Sequence, residues 1–386
     1  MPRRLEISAE HTRSVVERHA AFWKRDAGVL RYTGVYSQSS PVSLPTADGG
    51  VITDAESIEP KMVQPDELIN IIEQYDDDRL DAHLALKGEY LVNVGQGDFL
   101  PLAMPLMKFP WLEAILGCRI EMTVGQIWDK EYTGDPEDIA SDTSSFDHNP
   151  WFELYVEFIK RLQERLSGRF FVSTSSNQRG VSDLVAAVMG VQAALIGWID
   201  SPRFMSRILR RCTDAVLALG EATNAVVEPA LGGYACKWGL WCPDKVVATQ
   251  ADHASLVSPD VYAAQILPYD REVFRSSPLS IIHLHNNGLH HAPALMNLPD
   301  LDAIQVWMDP YPASDRRRFE VDMLQRIADR KPLIVDVYQS DLDESDWLLG
   351  QLTGRAVFYK NWVDPEVYDG LPDDHPGTDR WLRAGP

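Results

Sequence analysis

The chain has 386 residues, 45% hydrophobic and 24% charged, which is ordinary for a soluble globular protein and enough for one large α/β domain or two smaller ones. Its net charge of −21 leaves no basic face for phosphates, so a nucleic-acid partner is not expected, and anionic membrane surfaces are disfavoured. No run reaches the length of a membrane span, and "MPRRLEISAEHTR" lacks the apolar core of a signal peptide, so a cytoplasmic protein with reduced thiols is expected.

Residues 1–85 read as a helical extension: "EISAEHTRSVVERHAAFWKRD" has helical periodicity, "TGVYSQSSPVSLPTADGG" is turn-rich, and "QPDELINIIEQYDDDRLDAHLAL" is helical again. From residue 86 the second unit runs to 386, with short apolar strands alternating with amphipathic helices. "EYLVNVGQG" reads as a strand and "WLEAILG" as a short helix. "NPWFELYVEFIKRLQERLSG" is a long helix with Asn149 as N-cap and Gly168 at its end. "RFFVSTSS" reads as a strand, and "VSDLVAAVMGVQAALIGWI" as one buried helix. Ser201-Pro202 and Ser258-Pro259 both open helices. Strands follow at "KVVATQADHA", "SIIHLH", "LDAIQVWMDP", "PLIVDVYQSD" and "RAVFYKNW", with helices between the last three. This alternation predicts a parallel sheet, and its length suits a closed (β/α)8 TIM-type barrel behind an N-terminal helical extension.

In such barrels chemistry sits where the strands end. Four of the ten histidines fall within "SIIHLHNNGLHH". His283 and His285 are two apart at a strand exit, so both imidazoles face one side and can converge. His290 and His291 lie beyond the Asn-Asn-Gly turn and form the weaker pair. Asp252 and Gln250, at the exit of the preceding strand, and Tyr338, further on, are added to the candidates. So are Asn286 and Trp307 as substrate contacts. Metal ligation by His283, His285 and Asp252, acid/base catalysis, and a purely hydrogen-bonded histidine cluster all remain open. Tyr234, Trp238 and Trp241 in "GGYACKWGLWCPDK" could wall a pocket or pack as an aromatic corner. Arg179 could bind an anionic substrate or pair with Asp183. The four cysteines, Cys118, Cys212, Cys236 and Cys242, show no common zinc-finger spacing. The Gly-x-Gly of "VGQGDF" lacks the third glycine of a dinucleotide fingerprint, and neither Gly-x-Ser-x-Gly nor His-Glu-x-x-His occurs.

The order of segments resembles the uroporphyrinogen decarboxylase-like superfamily, which includes the decarboxylase and the corrinoid-dependent methyltransferases. "ADHASLVSPDVYAAQILPYDREVF" looks like the family's strand, polar exit and "SP…Y…PY" helix. "IIHLHNNGLHHAPALMNLPDLDAIQVWMDP" looks like its following strand, glycine turn and next strand. "VSDLVAAVMGVQAALIGWIDSPRFMSRIL" is similar to the helix and "D-x-P" entry upstream, so the resemblance covers about residues 90–362. There are two departures. Where the decarboxylases carry an Arg-rich segment for substrate carboxylates, this chain has Arg31 alone, and one guanidinium matches a polycarboxylate poorly. Where thiol-methylating members have His-x-Cys plus a distant Cys, this chain has His283-Leu284-His285 and no cysteine after Cys242, so zinc would need an N/O shell.

The resemblance implies methyl transfer from a small methylated substrate to a corrinoid protein. Zinc is the implied metal, and the corrinoid is carried by the partner; a homodimer is compatible with it. The alternatives are decarboxylation of a small organic acid, and a barrel that binds a small molecule without catalysis.

Overall fold

The computed structural model describes residues 6–7, 9–26, 28–35, 43–45, 51–53, 61–62, 64–65, 92–93, 97–105, 109–123, 126–166, 168, 170–175, 179–309, 314–338, 342–363, 365–371 and 382–383. All but the first two residues of the helix expected over 64–86 and most of the strand expected over 89–97 lie outside these residues. Six strands form one parallel sheet: β1 (Gly28–Val35), β2 (Val246–Gln250), β3 (Leu279–His285), β4 (Ala303–Met308), β5 (Leu333–Tyr338) and β6 (Ala356–Val363). Their order is β2-β3-β4-β5-β6-β1. β1 comes from the segment read as a helical extension, so the sheet draws on both sides of residue 85. Its "GVLRYTGV" carries the β-branched and aromatic residues a strand favours. The helix Ala9–Trp23 precedes it, as periodicity predicts.

Strand parity divides the sheet into two faces. Val247, Ile282, Leu284, Ile304, Val306, Val335, Val337 and Val357 pack into the larger core with the helices Pro150–Leu166, Val181–Met189 and Pro202–Val226. Ala248, Ile281, Ala303, Ile334, Phe358, Leu30 and Tyr32 face the other way and form a second core with Phe99, Leu102, Phe171, Trp238 and Trp241. A parallel sheet buried on both faces explains why these strands read as continuous apolar runs. Beyond the apolar layers on the second face, polar side chains begin, and the site lies there.

Shorter pieces flank the sheet. The Asp98 N–H donates to the Arg31 carbonyl of β1 at 2.9 Å. Leu102–Ala103 pairs in parallel with Phe171–Val172, and Ser173 bridges in parallel to Ala235. The Thr174 hydroxyl donates to the Val246 carbonyl of β2 at 3.1 Å. The Ala235 segment belongs to an antiparallel hairpin, Tyr234–Cys236 with Leu240–Cys242, that sequence periodicity did not resolve because each strand is three residues long.

Two helix readings need refinement. The run 181–199 is not one helix; it breaks at Gly190, whose φ of +81° is left-handed, into Val181–Met189 and Val191–Asp200, bent by 110°. Nearly continuous apolarity hid the break. After Ser258, whose hydroxyl accepts from Val261 N–H at 3.3 Å, the helix passes through a π turn at Tyr262–Ile266 before Pro268. Asn149 caps its helix as expected, accepting from the N–H groups of Trp151 and Phe152 at 3.0 and 3.2 Å. Among the described residues no single helix is long and apolar enough to cross a membrane.

Candidate metal centre

Register assembles the site. Gln250, His283 and Gln305 are direct neighbours across β2, β3 and β4. One layer further on, His285, Trp307, Asp336, Lys360 and Tyr32 are neighbours across β3, β4, β5, β6 and β1. All sit at alternate positions on one face, which is the convergence that the i, i+2 spacing of the histidines implies.

Asp252, His283 and His285 each offer a ligand atom, and the three atoms lie within 4.8 Å of one another. The Nε2 atoms of His283 and His285 stand 3.4 and 3.8 Å from Oδ1 of Asp252. Donors about 2.0–2.2 Å from a tetrahedral zinc would be about 3.3–3.6 Å apart. The imidazoles meet nearly perpendicularly, with centroids 5.0 Å apart.

Each of the three is held from behind. Gln250 Nε2 donates to Asp252 Oδ2 at 3.1 Å. Nδ1 of His285 is 2.7 Å from Oδ2 of Asp309. Nδ1 of His283 contacts Oε1 of Gln305, whose Nε2 donates to Asp336 Oδ2 at 2.7 Å. Carboxylate and amide oxygens only accept, so both Nδ1 atoms carry protons. In the neutral imidazoles both Nε2 atoms therefore carry lone pairs, aimed at Asp252 Oδ1, a buried oxygen with no hydrogen-bond partner. Three electron-pair donors face one point with no proton donor among them. Such an arrangement suits a cation, and supporting groups behind every ligand are what metal-binding histidines ordinarily have.

The electrostatics are uneven. Burial, with the charges of His285 and Lys237, lowers the His283 pKa to about 3. Burial also opposes charge on His285, but the Asp309 hydrogen bond and the charges of Asp252 and Asp309 outweigh it and raise its pKa. Burial raises the Asp252 pKa, against His285, Arg179 and Lys237. His283 is thus held neutral as a ligand should be, and His285 is the more basic of the pair.

The remaining candidates are distributed as follows. Trp307 and Tyr338 are half-buried on the site face of β4 and β5. Asn286 is turned inward, donating to the Asp309 carbonyl at 3.2 Å and to Glu320 Oε1 at 3.0 Å. Trp238 and Trp241 are buried in the second core. The Trp241 N–H donates to His19 Nδ1 and its carbonyl accepts from Trp23 Nε1, which ties the hairpin to the first helix. Tyr234 lies beneath the Lys245 ammonium, 5.6 Å from the ring centroid. Arg179 pairs with Glu113 Oε1 at 2.8 Å and Asp129 Oδ1 at 3.2 Å, rather than closely with Asp183. With Asp183 and His253 it lines a cleft of about 680 Å³. His290 and His291 point to backbone carbonyls away from Asp252, His283 and His285.

Lys237 and Gln305 are not among the candidates that the sequence offers, and Asp309 enters there only as a polar residue at a strand exit. Gln305 had a signal: an amide inside the apolar strand "AIQVWM" at the same parity as a layer of its neighbours. Asp309 follows that strand directly, and Lys237 had no comparable signal.

No family model and no curated protein matches the chain. Among solved structures, a methyltransferase from Methanosarcina mazei superposes with a TM-score of 0.57 at 13% identity, covering 91% of this chain and 93% of its own. At that identity the likeness concerns the fold.

Proposed function

We propose that this protein is a metal-assisted methyltransferase that moves a methyl group from a small O- or N-methylated substrate to a corrinoid carried by a partner protein. The observation that carries the reading is the three lone pairs, from His283 Nε2, His285 Nε2 and Asp252 Oδ1, converging with no donor between them. The shared fold with a methyltransferase supports it. We read the six-stranded sheet as part of a closed (β/α)8 barrel. The contacts from Arg31 to Asp98, from Leu102 to Phe171, from Ser173 to Ala235 and from Thr174 to Val246 bridge its two edges and support closure. The site then lies at the C-terminal mouth, where such barrels carry their chemistry.

Asp252, His283 and His285 would hold the metal, with zinc the natural choice for two imidazoles and a carboxylate. When bound, zinc would act as a Lewis acid on the heteroatom that loses the methyl group. The chain's own residues do the rest. Gln250, Gln305 and Asp309 orient the ligands. Trp307 and Tyr338, on the same face, border the space above them, where a small substrate would sit. The leaving heteroatom gains electron density, offset by bound zinc, as its bond to carbon breaks, and a proton from solvent would complete the leaving group on release.

The test has two arms. The purified protein is loaded with Zn²⁺ and the bound metal counted; one ion per chain is expected in the wild type, and loss of tight binding in H283A, H285A and D252A. The loaded protein is then offered methylated alcohols, amines and aryl ethers with cob(I)alamin as acceptor, and methylcobalamin is followed by its absorbance. A wild type that binds no metal and methylates no corrinoid would overturn the reading.

A further inference from the structure

Behind His283 runs a buried polar chain that crosses three strands and steps between two adjacent layers of the sheet face. Gln305 is completely buried and Asp336 and Lys360 nearly so, at 0%, 4% and 5% exposure. Gln305 Nε2 donates to Asp336 Oδ2 at 2.7 Å. The other carboxylate oxygen, Oδ1, lies 3.5 Å from the Lys360 ammonium and 3.4 Å from the Trp362 indole N–H. The ammonium is ringed by Phe99, Trp362 and Tyr32, whose centroids lie 4.7, 5.5 and 5.6 Å away. Burying these groups costs several kcal/mol unless they are fully partnered.

We infer that Gln305 and Asp336 are positioning residues that select the His283 tautomer with its proton on Nδ1, leaving Nε2 as a lone-pair donor. Asp336, whose Oδ1 faces the Lys360 ammonium, takes the amide N–H₂ of Gln305 on Oδ2 and so fixes which way that amide points. The carbonyl end of Gln305 is left facing His283, where it can be satisfied only by an Nδ1 proton. The opposite tautomer would set an Nδ1 lone pair against an amide oxygen in a buried site, at a cost of the order of a lost hydrogen bond. The selection is therefore transmitted from a charge pair two strands away. This inference rests on the metal-centre reading for its purpose, though not for its geometry.

The experiment uses the full-length, metal-free protein labelled with ¹⁵N-histidine, with the His283 resonances assigned by their loss in H283Q. Wild type should show Nδ1–H and unprotonated Nε2. Asp336→Asn lets the amide of residue 336 donate instead, so that Gln305 can turn over; its His283 should shift towards the Nε2–H form. Gln305→Leu removes the selection and should give a mixture. Gln305→Glu is the rescue: one oxygen shares a proton with Asp336 and the other still accepts from Nδ1–H, so the tautomer should stay as in wild type. Zn²⁺ affinity, measured by competition with a chromophoric chelator, should fall about 10- to 100-fold in Gln305→Leu and Asp336→Asn and only a few-fold in Gln305→Glu. If Asp336→Asn does not fold, Gln305→Leu decides. An unchanged His283 tautomer in a folded Gln305→Leu overturns the inference, even where wild type binds zinc. The expected tautomer changes in a wild type that binds no zinc would uphold it and overturn the metal reading instead.

Discussion

Under the proposed function, Asp252 is the residue where metal binding and stability pull in opposite directions. Its carboxyl is held above the usual carboxylate range, chiefly by burial, and its Oδ1 faces two imidazole nitrogens without a hydrogen-bond partner. In the metal-free protein that oxygen is a local cost. Asp252→Asn replaces a charge with an amide whose N–H₂ can donate to an imidazole Nε2. The metal-free variant should therefore be more stable than wild type, by about 1 kcal/mol, which in a chain of this length moves Tm by only a degree or two. Zinc should reverse the order. Wild type gains stability with metal concentration through mass action, and Asp252→Asn, lacking the anionic ligand, should not. Thermal melts of both proteins with and without Zn²⁺ give all four values. A variant less stable than wild type without metal, or equally stabilised by it, would show that Asp252 is a structural hydrogen-bonding residue.

At the scale of elements, the site depends on one helix docking closely against β2. Gly180, at the start of the helix Val181–Met189, lies so near the Gln250 carbonyl that an added Cβ would stand 1.5 Å from that oxygen. Asp183, one turn in, is buried and accepts from Gly180 N–H at 3.3 Å and from His253 N–H at 2.7 Å, pinning the turn that carries Asp252. Gly180→Ala must push the helix and β2 apart. We expect a loss of about 3 kcal/mol in urea unfolding, with a weaker zinc site, because Gln250 orients Asp252. Gly220→Ala is the control: its helical glycine has open space where a Cβ would go, and the change should be neutral or stabilising. Equal stabilities for the two variants would refute the close-docking account. Gly180 also marks what the sequence could convey. Period and punctuation identify β2 to β6 and the helices that follow β2, β4 and β5, because the polar exits of these strands are sharp. They place His283 and His285 on one side, because strand parity is a property of one strand. They do not give Gln305 opposite His283, since that depends on register between strands, nor the bend at Gly190, since a run this apolar has the same composition with or without a break. β1 stayed hidden because "VLRYTGV" has one charge and one glycine among its β-formers and is flanked by turn-rich sequence.

For the whole molecule, the two cores enclose carboxyls that the fold holds partly uncharged, and this sets the direction in which stability changes with pH. Asp270 is buried and raised from 3.8 to about 7 by desolvation, while the Tyr262 hydroxyl, donating to Oδ2 at 2.7 Å, opposes the shift. Glu113 is likewise raised to about 7 by burial, with Arg179 opposing. For a carboxyl whose folded pKa lies above its unfolded one, the folded state binds more protons than the unfolded between the two values. Its favourable contribution is complete below pH 3.8 and is lost as pH rises through about 7. A shift of about 3 units in Asp270 corresponds to about 4 kcal/mol at most. The net charge of −21 adds self-repulsion that grows over the same range as carboxyls ionise, and salt should relieve that part. The two contributions separate by mutation. Asp270→Asn keeps an oxygen for the Tyr262 hydroxyl and removes the ionisation, so the fall in unfolding free energy between pH 5 and pH 8 should shrink by about 2–3 kcal/mol, with little change in its salt dependence. Raising ionic strength in wild type should lessen the fall without abolishing it, because buried carboxyls are poorly screened. Urea unfolding at both pH values, with and without added salt, measures each term. A wild-type slope that salt removes entirely would mean that surface repulsion alone governs the pH response, and one that Asp270→Asn leaves intact would mean that Asp270 ionises at its ordinary value.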